Sequence, residues 1–525
     1  MKNHRAINVI NAIAKLYDMV LCARLSAWFS PLREQAGAQR GRGCLEHIIT
    51  LRLLIDLARR KKYKLFVTFV DFQQAYDKVP RYILFRLLKR LGCGSVMLFA
   101  IIAMYRITNS IIGSSLIAAT IGVRQGSPTS CILFIIFVND LIKIIKDNCG
   151  IDGFLGWLHI LVLMDDTVLL STTRGGMIQK LNLLDQFCNS HGMIVNSSKT
   201  KFFVINGNRQ DEEQMVVGGF VVDTCEQYVY LGCIFTADGS VSSSIKAEAQ
   251  SRICHVLKFV SFLNKNNDIP FKIKYQIFQL ALMPALVYGS ESWLNGDIKP
   301  MNKLYLWCIK QLLGVRKTTV TSLYLVELGC PEFRSLVAVN QRKFFPQAWS
   351  ERRGMIDDPL VHAVRIILDY NSPVSRYVHG LINKNVDDIG LSMEKIKTEV
   401  STSQSNRVAM YRQINSELTV HAMYAENVSV DELERVNWTR MRLSSHSLAV
   451  EVGRWNRRGR GSLPMEERLC TCGQVQTEQH VIEVCPRTEN IRRQWNVSSM
   501  INLLSERVDF RNVCHIVTKI LNIYK

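Results

Sequence analysis

The 525-residue sequence lacks the features that would carry it out of a cell or into a bilayer. No cleavable leader is expected, because MKNHRAINVI holds too short an apolar run. No greasy segment reaches the roughly 20 residues needed to cross a membrane. The longest, SVMLFAIIAMY (95–105) and CILFIIFV (131–138), read as core helices. The 15 cysteines show no framework spacing except near residue 470, which excludes a disulfide scaffold and points to a reducing compartment. Acidic residues are scarce: 45 Asp and Glu stand against 65 Lys and Arg, for a formal +20. Such a field attracts polyanions, nucleic acid first, although a basic balance alone also fits ribosome-associated and membrane-surface proteins. Disorder is excluded by 48% hydrophobic against 21% charged residues. The expected location is the nucleus or cytoplasm, with no secretion, no transmembrane segment and no strong nuclear import signal.

What is present is a mixed pattern of strands and helices. KYKLFVTFVDF (62–72) reads as a buried strand with Asp71 at its end, and Pro80 opens a helix on which Ile83, Leu84, Leu87, Leu88 and Leu91 recur at helical spacing. IIGSSLIAATIGV (111–123) reads as a strand, Arg124 to Pro128 as a turn, and Thr129 to Ile145 as a mostly apolar helix. After Gly153 an aliphatic run breaks at Met164-Asp165-Asp166 and resumes, which predicts a hairpin with both acids at its turn. A helix over about 176–191 and the strand KFFVIN (201–206) follow; beyond Ser240 the pattern is mostly helical, with long periodic stretches at 245–263 and 271–288.

Two adjacent carboxylates among aliphatic residues repel one another unless a cation neutralises them. A divalent metal is that cation, and Mg²⁺ is commonly held by one or two carboxylates plus a substrate's phosphates. Asp71 is the natural third acid if its strand neighbours the hairpin. Taken alone, such a pair is more often a solvated turn.

The ordered series VDFQQAYDKV (70–79), GVRQGSPTS (122–130), LMDDTVLLS (163–171), GMIVNSSKTK (192–201) and YVYLGCIFTADGS (228–240) resembles the successive palm motifs of reverse transcriptases, most closely those of non-LTR (LINE-type) retrotransposons. The resemblance implies that Asp71, Asp165 and Asp166 bind two Mg²⁺. It implies that Tyr76 packs on the sugar of the incoming nucleotide and favours dNTPs by leaving no room for a 2′-hydroxyl. Gln125 and Gly126 match the loop that contacts nucleotide and template, Lys199 a lysine near the triphosphate, and Tyr230, Leu231 and Gly232 the turn that grips the primer end. HRAINVINAIAKLYD (4–18) and EQAGAQRGRG (34–43) resemble finger segments, with Arg5 reaching the triphosphate and Arg40 and Arg42 touching backbone phosphate; plain surface charge is the alternative for the last two. The chain departs from the family at Leu163 and Met164, where an aromatic residue and Ala are usual, at Ala6 in place of Pro, and at Ala38-Gln39 in place of Phe-Arg. It opens inside the fingers, so the earliest finger blocks and any upstream endonuclease are expected to be missing.

Near the other end, Cys470, Cys472, His480 and Cys485 form C-x-C-x₇-H-x₄-C, able to hold Zn²⁺ through three thiolates and an imidazole. The family resemblance includes a C-terminal knuckle of similar spacing after an arginine-rich stretch. Between Trp438 and Pro464 six arginines stand against one glutamate, and Arg454, Arg457, Arg458 and Arg460 with Trp455 suit backbone contacts and base stacking. A solvated basic face is the alternative.

The expectation is an α+β right-hand polymerase: fingers and palm over 1–240, a helical thumb over 241–345, a connector over 346–435, and a basic region with the knuckle over 436–525. Its partners would be an RNA template, a DNA primer and dNTPs. The competing expectation is a catalytically inert nucleic-acid-binding remnant, and a third is an RNA polymerase that copies RNA, which Tyr76 disfavours.

Overall fold

The computed structural model describes residues 9–106, 109–112, 115–383, 386–426, 428, 430–454 and 461–524. They fall into two units. The first comprises 1–245 with 291–296 and 344–383; the second comprises 246–290, 297–343 and 384–525. Residues 344–383, expected at the end of the thumb and the start of the connector, thus pack with the first unit.

In the first unit, helices α1 (Ala12–Trp28) and α2 (Cys44–Lys61) precede strand β1 (Leu65–Val70); α3 (Arg81–Arg90) and α4 (Ser95–Arg106) precede β2 (Asn109–Ile112) and β3 (Ser115–Ala118). Then come α5 (Pro128–Asn148), β4 (Ile160–Leu163), β5 (Asp166–Ser171), α6 (Arg174–His191), β6 (Lys201–Ile205), β7 (Met215–Val217), β8 (Phe220–Thr224), β9 (Gln227–Tyr230) and β10 (Cys233–Thr236). The main sheet runs β4-β5-β1-β6-β8-β7, antiparallel except between β6 and β8. The α+β class is as expected.

Period-two alternation explains why β1 reads as an unbroken apolar run: both of its faces are buried. Phe66 and Val70 join Ile160, Val162, Leu169, Phe202 and Val204 against α5 and α6. Leu65, Val67 and Phe69 join Leu161, Val168, Leu170, Phe203 and Ile205 against α2 and helix Pro359–Leu368. The sheet is therefore the middle of three layers. Helix α5 is the one described helix long and apolar enough to cross a membrane, longer than the greasy run that marks it in the sequence, but 67% of its most apolar window is buried within the protein. It serves as the core helix under the sheet.

Three local readings change. Helix α4 is not a core helix: only Ile101 and Tyr105 are buried, while Val96 is 81% and Phe99 68% exposed. The segment read as one strand over 111–123 forms the two-stranded β2–β3 hairpin instead. The helix expected over 271–288 is interrupted, with a π turn at Phe278–Leu282 between Phe271–Ile277 and Met283–Val287. Pro284 has no N–H to give the carbonyl one turn back, and the widened turn, with Met283 N–H donating to Phe278 O, absorbs the defect.

The second unit is helical. Its centre holds Arg442, fully buried and paired fork to fork with Glu327 (Nε–Oε1 2.7 Å, Nη2–Oε2 3.0 Å), with the Tyr411 hydroxyl donating to Glu327 Oε2 at 2.6 Å and the Trp438 ring 4.7 Å from the guanidinium.

Candidate active site and metal centre

Strand register assembles the acids. Val70 pairs with Thr167 and Leu163 with Asp166, so one further antiparallel step sets Asp71 opposite Asp166, with Met164 and Asp165 as the intervening turn. Adjacent strands lie about 4.8 Å apart, within reach of a shared cation. Alternation sends Asp71 and Asp166 to the same face as Phe69 and Val168. On that face the β9–β10 hairpin packs, with the Tyr228 ring stacked on Phe69 at 4.2 Å.

Charge effects on the tyrosines report the same convergence. Burial, then the charges of Asp71 and Asp166, push the Tyr228 hydroxyl up to about 12. Burial, the Cys131 thiol and Asp165 raise that of Tyr76. Asp71 is also tied to the loop after α6. Asn196 Nδ2 donates to Asp71 Oδ2 at 2.9 Å, the Asp71 N–H donates to Thr200 Oγ1 at 3.1 Å, and Asn196 N–H donates to Asp71 O at 2.7 Å. Lys199 Nζ stands 3.8 Å from Asp71 Oδ2 and is mostly exposed.

Tyr76 is half-buried and stacked on Phe134 at 4.4 Å, 12° from parallel. The loop carrying Gln125 and Gly126 is pinned to the segment around it: Val123 N–H donates to Tyr76 O and Gly122 N–H to Val79 O. Gly122 has φ +84°, and a Cβ there would meet Asp77 O at 2.8 Å, so this closure requires glycine. Gln125 is half-buried and its Nε2 donates to Asp77 Oδ1 at 3.2 Å. Leu231 (φ 49°) and Gly232 (φ 79°) form a two-residue turn of the I′ kind between Tyr230 and Cys233. Tyr230 itself points inward and is buried.

The structure thus brings Asp71, Asp165, Asp166, Lys199 and the β9–β10 hairpin together, and holds Tyr76, Gln125 and Gly126 on a connected loop. Arg5 lies outside the described residues. Arg42 does not project to solvent as expected: its side chain is 6% exposed and pairs with Glu46 at 2.9 Å and Asp358 at 3.8 Å, whereas Arg40 is exposed. Asn196, Thr200 and Tyr228 are additions; all fall inside or beside the quoted motifs, but nothing local in them announces contact with Asp71.

In the second unit Cys470, Cys472, His480 and Cys485 present ligand atoms within 4.8 Å of one another. Cys470 Sγ lies 3.8 Å from Cys485 Sγ, which lies 4.0 Å from Cys472 Sγ; Cys472 Sγ is 3.2 Å from His480 Nε2. A tetrahedral site with metal–sulfur bonds of about 2.3 Å has edges near 3.8 Å, so the donor set fits zinc. Burial works against the Cys470 thiolate, yet the Cys472 backbone N–H, His480 and the other two cysteines bring its pKa down to about 6. The preceding arginines are less available than their density suggests. Arg440 donates to Gly314 O, Arg442 is buried on Glu327, and Arg454 pairs with Glu451 at 2.7 Å. Trp455, Arg457, Arg458 and Arg460 lie outside the described residues.

Residues 1–235 match the family model described as reverse transcriptase (RNA-dependent DNA polymerase). Over 539 residues the chain is 23% identical to the retrovirus-related Pol polyprotein from type-1 retrotransposable element R2 of Popillia japonica, covering 95% of this chain and 70% of that protein. The corresponding protein of Nasonia vitripennis is 21% identical over 484 residues, covering 86% and 43%. The probable RNA-directed DNA polymerase from transposon BS of Drosophila melanogaster is 24% identical over 315 residues, covering 56% and 34%. The chain therefore spans less than half the length of the last two. Among solved structures, telomerase from Candida albicans matches with 14% identity and a TM-score of 0.32, over 71% of this chain and 57% of that one.

Proposed function

We propose, from the premise that residues 1–235 belong to the reverse transcriptase family and the chain to its non-LTR retrotransposon members, that this protein is an RNA-directed DNA polymerase. The observation that carries the reading is the register that faces Asp71 to Asp166 beside the Met164–Asp165 turn. Two Mg²⁺ held by Asp71, Asp165 and Asp166 would activate a primer 3′-hydroxyl and neutralise charge on the leaving oxygen.

The chain's own side chains supply the rest. Tyr76, braced on Phe134, offers a rigid surface to the sugar of a dNTP and would leave no room for a 2′-hydroxyl. Gln125 and Gly126 border that position, Lys199 is exposed and near enough to meet the triphosphate, and Arg5 is assigned the same role from its motif alone. The β9–β10 tip at Leu231 and Gly232 would steady the primer terminus, with Tyr230 anchoring the hairpin in the core. An RNA template and a DNA primer suit the formal +20, through phosphate contacts that weaken as salt rises. The main sheet plays the palm, with fingers before it and a helical thumb and connector after it. Cys470, Cys472, His480 and Cys485 would hold Zn²⁺ in a small C-terminal module.

The test supplies purified protein with an RNA template, a DNA primer and dNTPs. Extension with Mg²⁺ or Mn²⁺ is expected, with a loss of about a hundred- to a thousandfold in Asp165→Ala, as when a group that stabilises transition-state charge is removed. Salt-sensitive RNA binding without extension would instead identify an inert remnant, and incorporation of rNTPs would identify an RNA polymerase.

A further inference from the structure

We infer that Gln35 is a positioning residue for the acid-bearing turn; the inference rests on the polymerase reading above and extends it to how the carboxylates are held. Residues 34–36 run alongside β4. Gln35 bridges Val162 in parallel, Val162 N–H donates to Glu34 O at 2.8 Å, and Ala36 N–H donates to Val162 O at 3.0 Å. This places the Gln35 side chain, which is completely buried, under the hairpin turn. Its Oε1 accepts from the Gly37 N–H at 2.7 Å and from the Met164 N–H at 3.1 Å. Both partners are obligate donors, so the orientation of the carboxamide is determined by its bonds.

Met164 is the residue on which the turn depends. Its φ is +59°, a left-handed conformation that side chains other than glycine's disfavour. It immediately precedes Asp165 and Asp166, so its backbone angles set the direction in which both carboxylates leave the turn. A buried acceptor on the Met164 N–H is what holds that conformation against relaxation. Gly37 completes the device: a Cβ there would meet Met164 Sδ at 2.4 Å and Gln35 Oε1 at 2.8 Å. The family's usual alanine is a methionine here, and its side chain lies over the bare Gly37 backbone. A glutamine more than a hundred residues upstream thus governs the geometry of the metal-binding acids without touching substrate.

The experiment measures Mn²⁺ binding to the full chain by electron paramagnetic resonance, alongside primer extension as a function of Mg²⁺. Gln35→Met keeps the length of the side chain and removes the acceptor. Outer-shell partners of metal ligands typically contribute about 10- to 100-fold. Gln35→Met is therefore expected to weaken Mn²⁺ binding about tenfold, raise the half-saturating Mg²⁺ concentration to match and lower kcat, with KM for dNTP changed less than about twofold. Asp165→Ala should abolish the same Mn²⁺ signal. In a Met164→Gly background, where positive φ is native to the residue, adding Gln35→Met should cost less than about threefold in Mn²⁺ affinity. Equal affinity in wild type and Gln35→Met, or an equal loss in both backgrounds, overturns the inference. If Gln35→Met alone does not fold, the double variant decides: folded and binding supports the role in the turn, unfolded assigns Gln35 to core stability and overturns it. A wild type that binds Mn²⁺ but extends no primer would sink the polymerase reading while leaving the Mn²⁺ comparison to judge Gln35.

Discussion

Asn196 shows how one amide can matter to a carboxylate it does not resemble. Its Nδ2 donates to Asp71 Oδ2 and its backbone N–H to Asp71 O, so the first acid is held from two directions by the loop after α6. Asn196→Ala should leave the fold intact and lower primer extension about 10- to 100-fold, checked by single-turnover kinetics against thermal unfolding. Asn196→Asp tests the electrostatics separately. A second carboxylate beside Asp71 replaces the amide donor with a repelling charge, so primer extension should fall at least as far as in Asn196→Ala, and extension equal to wild type would remove Asn196 from the metal's surroundings. At this scale much was legible. Asp71, Asp165 and Asp166 could be read because a strand end and a hairpin turn are local patterns. Asn196 and Gln35 could not, because their roles arise only when distant segments come into register. Arg42 was misread for a related reason: Glu46, four residues on, already offered it a partner on the first turn of α2, but the burial contributed by Asp358 comes from far along the chain.

Elements were legible where their environment matched their periodicity. β1, β4, β5 and β6 are buried on both faces, which accounts for their continuous apolar runs, and α5 is apolar because it lies in the core. Helix α4 is equally apolar yet leaves Val96 and Phe99 in solvent; hydrophobicity reports what a segment could bury and not what is there to cover it. The Phe271 to Tyr288 stretch kept its spacing in sequence while Pro284 forced a π turn on it. The Cys/His module is the opposite case, since four candidate ligands named from their spacing and the family's similar knuckle meet in space. Its loop is built on a bridge between Leu469 and Val475 and a turn in which Cys470 N–H donates to Gln474 O at 2.7 Å, too little apolar burial to persist unaided. Chelation, or Cys485→Ser, is expected to abolish amide-exchange protection across 469–485 and to leave β1 protection unchanged, as hydrogen-exchange mass spectrometry would read. Protection that survives a chelator strong enough to strip zinc would mean the module folds without metal.

At the scale of the whole chain, the division into units was the least legible feature, because residues 291–296 and 344–383 return to the first unit after excursions that carry no compositional mark. That return has an energetic consequence. The first unit buries His47, whose two ring nitrogens have no hydrogen-bond partner, and burial with the nearby Arg42 charge lowers its pKa to about 3. Burial and Lys180 lower that of His159 to about 4. Each is neutral in the folded state at pH 5 but protonated when unfolded, because the unfolded value is 6.5. The unfolded state therefore binds more protons below about pH 6.5, and stability must fall as pH falls, by up to about 1.4 kcal/mol per pH unit per histidine, or roughly 2 kcal/mol each at pH 5. Asp152 adds a later phase. Burial would raise its carboxyl, but Lys180, 2.5 Å away, and Thr172 outweigh it and hold the pKa at about 2. That contribution of about 2 kcal/mol is complete above the unfolded value of 3.8 and disappears between pH 4 and pH 2. Unfolding free energies from exchange at β1 amides should accordingly be flat from pH 8 to pH 6.5, decline below that, and keep declining under pH 4, where the Asp152 contribution takes over as His159 becomes protonated in the folded state. His47→Leu gives up no hydrogen bond and should remove one proton's worth of the slope between pH 6.5 and pH 5. An unchanged slope in that variant would show that the ring is charged, or solvated, in the folded protein.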